Sequence, residues 1–137
     1  MCRGGPMSIK VHNIQKDFVV LSPEKTATVE TADSTLYQRL EQNYQGFKGH
    51  EMIAAFEFES DWDTWEIHPN GDEIVMLMSG EITFVLKLED GEQTVDLKES
   101  GTYIIVPKGV WHTAKTTVKS KLLFITPGEG TKNAAEP

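Results

Sequence analysis

From Glu51 to Phe58 the apolar side chains Met52, Ala54, Phe56 and Phe58 alternate with Glu51, Ile53, Ala55 and Glu57. A period of two predicts a strand with one buried face. Upstream the pattern differs. Residues 10–14 and Asp17–Leu21 read as short extended stretches. Leu36, Leu40 and Tyr44 recur at spacing four, with Tyr37 beside them, and predict one helix over about 34–44. Asp33 is placed to cap its first turn and Gly46 to end it. Downstream, strands are expected at 62–68, 73–79, 82–88, 93–97, 102–106, 110–118 and 121–126, punctuated by turn residues such as Pro69-Asn70-Gly71-Asp72 and Asp90-Gly91. Residues 73–79 are nearly all apolar, as in a strand buried on both faces.

Roughly eight short strands with turns between them predict an all-β sandwich or closed barrel, the helix packing outside it. One domain is expected over 9–127. Residues 1–8 read as a disordered or expression-derived N-terminus, with Met7 an alternative start, and 128–137 as a flexible tail of Gly, Ala and charge.

Composition narrows the function classes. The chain has 137 residues, with 39% hydrophobic and 25% charged positions, which suits one globular domain. Lys and Arg number 13 against 21 Asp and Glu, a net charge of −8. Nucleic-acid affinity draws on cationic side chains that displace counterions, so nucleic acid is not an expected partner, and neither is an anionic membrane. Cys2 is the single cysteine. It forbids an intramolecular disulfide and fits a reducing compartment. Residues 1–9 lack a signal-peptide core, and no run reaches the ~20 apolar residues that span a bilayer. A cytoplasmic location is expected.

Four polar residues interrupt strands that otherwise read apolar: Glu66, His68, Glu73 and His112. Glu66 and His68 are two apart and share a strand face. Glu73 follows a reversing turn, and His112 follows the Pro107-Lys108-Gly109 turn. Two imidazoles meeting one or two carboxylates make a metal site suited to Fe, Mn, Zn or Ni.

In these positions the sequence resembles the cupin superfamily. The family's first motif reads G-x5-H-x-H-x3–4-E-x6-G, and here His68, Glu73 and Gly80 fall at its spacing. The second reads G-x5-P-x-G-x2-H-x3-N, matched by Gly101, Pro107, Gly109 and His112. The likeness covers about 52–126. It implies a double-stranded β-helix, or jelly roll, and carries His68, Glu73 and His112 over as metal ligands. Three positions depart: Ser60 or Asp61 replaces the opening Gly, Glu66 replaces the first His, and Thr116 replaces the final Asn.

Glu66 admits three roles: a fourth ligand, a general base or substrate contact beside the metal, or a solvated carboxylate without function. His68 and His112 taken singly read as satisfied core histidines; at motif spacing with Glu73 they read as ligands. His12 and His50 fit no motif and are expected at the surface. Trp62, Trp65 and Trp111 read as packing or as the wall of a ligand pocket, Met76 and Met78 as packing, and Tyr103 as a residue within reach of the pocket. No nucleophile motif and no phosphate-cradling loop is present.

The resemblance implies a metal-dependent enzyme of dioxygenase, isomerase or decarboxylase type on a small organic substrate. The alternative is a non-catalytic ligand-binding or sensor barrel with a structural metal or none. A homodimer is expected, because the N-terminal strands leave a sheet edge to be paired.

Overall fold

The alternation from Glu51 to Phe58 forms a strand over the same eight residues, and the later apolar runs form strands that pack against it. The computed structural model describes residues 8–137; the expectations placed on Cys2 and Met7 lie outside them. The described elements are β1 (Asp17–Leu21), β2 (Ala27–Thr31), α1 (Leu36–Asn43), β3 (Glu51–Phe58), β4 (Trp65–Ile67), β5 (Glu73–Ser79), β6 (Ile82–Leu88), β7 (Gly91–Leu97), β8 (Tyr103–Val106), β9 (His112–Lys115), β10 (Ser120–Thr126) and β11 (Lys132–Ala134). They make two antiparallel sheets, one in the order β2-β1-β3-β10-β5-β8 and the other β11-β4-β9-β6-β7. The described residues are nearly all-β, as expected, with one α-helix among them. No helix of the described residues is long and apolar enough to cross a membrane.

The sheets close on an apolar interior. Val75 and Leu77 of β5, Phe84 of β6, Val106 of β8 and Leu122 of β10 are almost fully buried. Trp62 stacks edge-on against Phe84 at 5.8 Å between ring centroids. A second cluster joins Phe18, Val20 and Ala54 to Leu36 and Leu40 of α1 and to Phe47. This lays the helix across one end of the sheets. Arg39 on the helix fixes it to β2, bonding the Glu30 carboxylate through Nε at 2.9 Å and the Thr31 carbonyl through Nη2 at 2.6 Å. Tyr44 donates to Glu30 as well.

Gly80 shows why one motif glycine is required. It turns β5 into β6 at φ +90°, and a Cβ there would stand 2.4 Å from the Lys119 carbonyl. Only glycine takes that conformation without strain.

Several expectations need correction. β2 was not foreseen, because its residues are mostly exposed and lack a clean alternation, and residues 10–14 form no strand. The helix is shorter than 34–44. Its N-cap is Thr35, without a side-chain cap bond, while Asp33 instead accepts from the Thr35 backbone N–H and from Arg39. Tyr44 is the C-cap, and Gly46 lies in the short turn of 3-10 helix that follows. The strand expected at 62–68 is only Trp65–Ile67. Most consequential, 128–137 is not simply a loose tail, since β11 pairs with β4. Its pattern is too short to register as periodic, and pairing rather than local preference makes it a strand.

Phe84→Ala is expected to lower stability by about 3–5 kcal/mol in urea unfolding, through the cavity it leaves. Val118→Ala, at an exposed turn position, should change it by no more than about 0.5 kcal/mol.

Candidate metal centre

The two motifs are fastened to each other before any ion is considered. The Asp72 carboxylate accepts the Lys108 backbone N–H at 2.8 Å, and the Gly109 N–H donates to the His68 carbonyl at 3.0 Å. These bonds hold the turn before β9 against the turn before β5. Glu66 of β4 lies directly opposite His112 of β9 in register, so their side chains share one face. Glu73 comes from the other sheet, at the start of β5. At the far ends of the motifs, Asp61 accepts the Thr116 N–H at 3.0 Å, and the Thr116 hydroxyl donates to the Glu81 carbonyl at 2.7 Å. The two departures, at the first motif's start and the second's end, are therefore tied together structurally and stand away from the ligand cluster.

Glu66, His68, Glu73 and His112 come together with one ligand atom each, all within 4.8 Å of one another. His68 Nε2 is 2.9 Å from Glu66 Oε1 and 3.2 Å from Glu73 Oε2, and His112 Nε2 is 3.1 Å from Glu73 Oε1. His68, Glu73 and His112 are buried, while the Glu66 side chain keeps 30% of its surface exposed. Despite these distances, His68 Nε2, His112 Nε2 and Glu73 Oε1 make no aligned hydrogen bond and are buried without a partner.

The outer nitrogens explain that arrangement. Thr131 donates its hydroxyl proton to the Gly128 carbonyl at 2.9 Å, so it can only accept from His68 Nδ1, 2.8 Å away. His112 Nδ1 faces the Val110 carbonyl, a pure acceptor, at 3.1 Å. Both Nδ1 atoms therefore carry protons, and both Nε2 lone pairs are free to face Glu73. Two lone pairs against a buried carboxylate repel unless a cation lies among them. This donor set, with its outer hydrogen bonds already made, fits a divalent ion. Thr126 donates to Glu73 Oε2 at 2.6 Å and fixes the carboxylate's rotation.

Without a metal, a proton takes the cation's place. Burial alone would lower the pKa of His68, but the carboxylates of Glu66 and Glu73 outweigh it and hold it up at about 9. Burial alone would raise that of Glu73, but His112 and His68 outweigh it and depress it to about 2.

A cavity of about 660 Å³ opens onto Glu66, His68 and Glu73 and runs out under α1, with Trp62 in its wall. Trp65 instead lies beneath the Lys87 ammonium, 4.6 Å from the ring centre. Tyr103 is 56% exposed on the outer face of its sheet, outside the cavity; its strand parity, opposite to that of Ile104 and Val106, turns it away. His12 is exposed near Asp17. His50, expected to face water, is half-buried between Tyr44 and Phe47. Reasoning from sequence missed Thr126 and Thr131. Thr126 ends a clear strand and has the parity of Phe124, which was a usable signal; Thr131 carried none.

No family model matches the chain, and no curated protein is similar to it. Among solved structures it is similar to a recombinant oxalate oxidase in complex with glycolate, at TM-score 0.52 and 16% identity over 60% of this chain and 45% of that one. A second oxalate oxidase structure gives TM-score 0.51 and 18% identity over 59% and 44%. A cupin-2 domain containing protein from Shewanella frigidimarina gives TM-score 0.47 and 25% identity over 56% and 70%. The chain spans less than half the length of the oxalate oxidases it matches. The two oxalate oxidase likenesses, with the two sheets above, show the fold that the cupin resemblance implies: a small jelly-roll barrel whose buried His/Glu cluster could hold a metal ion.

A pH dependence follows for the chelator-treated protein. His68 binds its proton more tightly folded, at about 9, than at its ordinary value of 6.5. Its stabilising contribution is complete below pH 6.5 and is lost as pH rises through 9. The urea midpoint should fall between those values, and the fall should be absent in His68→Gln. A wild-type midpoint that stays flat over this range contradicts the assignment.

Proposed function

We propose that His68, Glu73, His112 and Glu66 bind one divalent ion, and that the protein acts on a small organic molecule held beside it. The buried, partnerless Nε2 atoms of His68 and His112, turned toward the equally partnerless Glu73 Oε1, carry this reading. Among the alternatives for Glu66, ligation is favoured by its 2.9 Å approach to His68 Nε2. Two carboxylates and two imidazoles favour Fe(II) or Mn, with Zn and Ni accommodated as well. Two carboxylates also neutralise a divalent ion, which makes it a milder Lewis acid than a three-His, one-Glu set would. The metal supplies a Lewis-acidic or redox-active centre, and the chain supplies the ligands and the cavity.

A purely structural metal is the competing reading. Structural sites are closed, whereas catalytic ones keep an open position. The cavity that reaches three of the four ligands favours a reactive centre, with chemistry of dioxygenase, isomerase or decarboxylase type. His68→Ala and His112→Ala should lose most of the metal that elemental analysis finds in wild type and in His12→Ala. Glu66→Gln, which keeps shape and loses charge, should weaken binding or shift its pH dependence. Equal metal content in all four variants would refute the ligand set.

We further propose a cytoplasmic homodimer with neither nucleic acid nor membrane as partner. The acidic balance and single cysteine support the location and the exclusions. The outer face of the larger sheet supports the dimer. Val29, Val19, Ile53, Ile125, Ile74 and Ile105 stand in register across all six strands. None of these six is fully buried within one chain. A continuous apolar row of this length marks an interaction surface more often than scattered exposed residues do. Sedimentation should give twice the chain mass at micromolar concentration, and Ile105→Lys should shift it toward monomer.

A further inference from the structure

The cavity has two kinds of wall and lacks a third. Phe47, Phe56, Phe58, Trp62 and Phe124 line its length, with Tyr37 at the helix. Its charged lining is acidic: Glu66 and Glu73 at the inner end and Glu41 of α1 at the outer. No Lys or Arg lines it among the described residues. Of the other polar side chains there, the Thr126 and Thr131 hydroxyls already donate their protons within the protein. Neutral donors remain there: Tyr37 and Asn133 line the cavity with an O–H and an amide N–H, and the indole Nε1 of Trp62 is buried in its wall without a partner.

We propose that the cavity binds an uncharged or cationic ligand built on an aromatic ring, and that it discriminates against carboxylate, phosphate and other anionic ligands. This rests on the metal reading above, since with a divalent ion bound Glu66 and Glu73 leave the inner end neutral and Glu41 leaves the whole negative. An anion entering the cavity gives up hydration and finds no Lys or Arg in the walls to replace it, and the charge of the ion at the inner end is already cancelled by Glu66 and Glu73. A ring gains apolar contact along the wall and edge or face contact with the aromatic side chains. A hydroxyl or carbonyl oxygen on the ligand finds neutral donors at Tyr37 and Asn133 without requiring charge. A ligand ammonium gains Glu41 and the aromatic faces.

The test is a set of probes on one ring that differ in charge: 2-naphthylmethanol, 2-naphthylmethylamine and 2-naphthoate, titrated by calorimetry into the metal-loaded protein, with metal content measured on the same samples. The alcohol and the amine are expected to bind at least tenfold more tightly than the carboxylate. Glu41 is exposed on α1, so Glu41→Lys should fold as wild type does. That variant should weaken the amine and bring the carboxylate to within a few-fold of the alcohol. A carboxylate that binds wild type as tightly as the alcohol overturns the inference, as does failure of all three probes to bind. Metal content separates the two readings: a protein that holds no ion yet ranks the probes as expected overturns the metal assignment and leaves the cavity's preference standing.

Discussion

Everything in this barrel is arranged around one buried carboxylate. Glu73 sits at the start of β5, 1% exposed, in an interior that is mostly aliphatic and aromatic. A carboxylate there is unfavourable unless something positive is brought to it. The chain brings two imidazoles from the opposite sheet and a hydroxyl from the neighbouring strand. His112 is held in turn by the Val110 carbonyl and His68 by the Thr131 hydroxyl. Removing Glu73 would leave the buried His112 Nε2 with no carboxylate facing it, and removing the imidazoles would strand the carboxylate. The site and the closure of the sheets are for this reason one problem in energy.

The geometry also divides labour between the two sheets. The smaller sheet supplies Glu66 from β4 and His112 from β9, which are direct partners in register, and His68 follows the end of β4. The larger sheet supplies Glu73 and the apolar floor. An ion held between them would bridge the sheets at the open end of the barrel, where the helix and its cavity lie. The cavity and the candidate ligands therefore meet at one place.

How much of this was legible in the sequence depended on whether the signal was local. Strands with strict alternation, such as β3, and motif residues at fixed spacing, such as His68, Glu73 and His112, could be placed because the pattern lies in neighbouring letters. β2 could not, since it faces solvent on one side and the Glu30–Arg39–Tyr44 cluster on the other, which dilutes its apolar period. The 62–68 strand was overextended because Trp62 shares parity with Glu66, whereas the segment before Trp65 is held only by isolated bonds, such as Trp62 N–H to the Ala114 carbonyl. The register of Glu66 against His112 could not be read at all; it depends on a pairing between segments far apart in the chain.

Thr131 and β11 give the site a schedule as well as a shape. All four clustered side chains are synthesised by residue 112, yet the hydroxyl that sets the tautomer of His68 and the strand that pairs with β4 come later. A chain that reaches only β10 has all four side chains without the hydroxyl that aims one of them. The outer nitrogen of His68 then lacks its partner, and β4 lacks one of its two neighbours. The final geometry of the cluster is therefore set in part by a segment that belongs to neither motif.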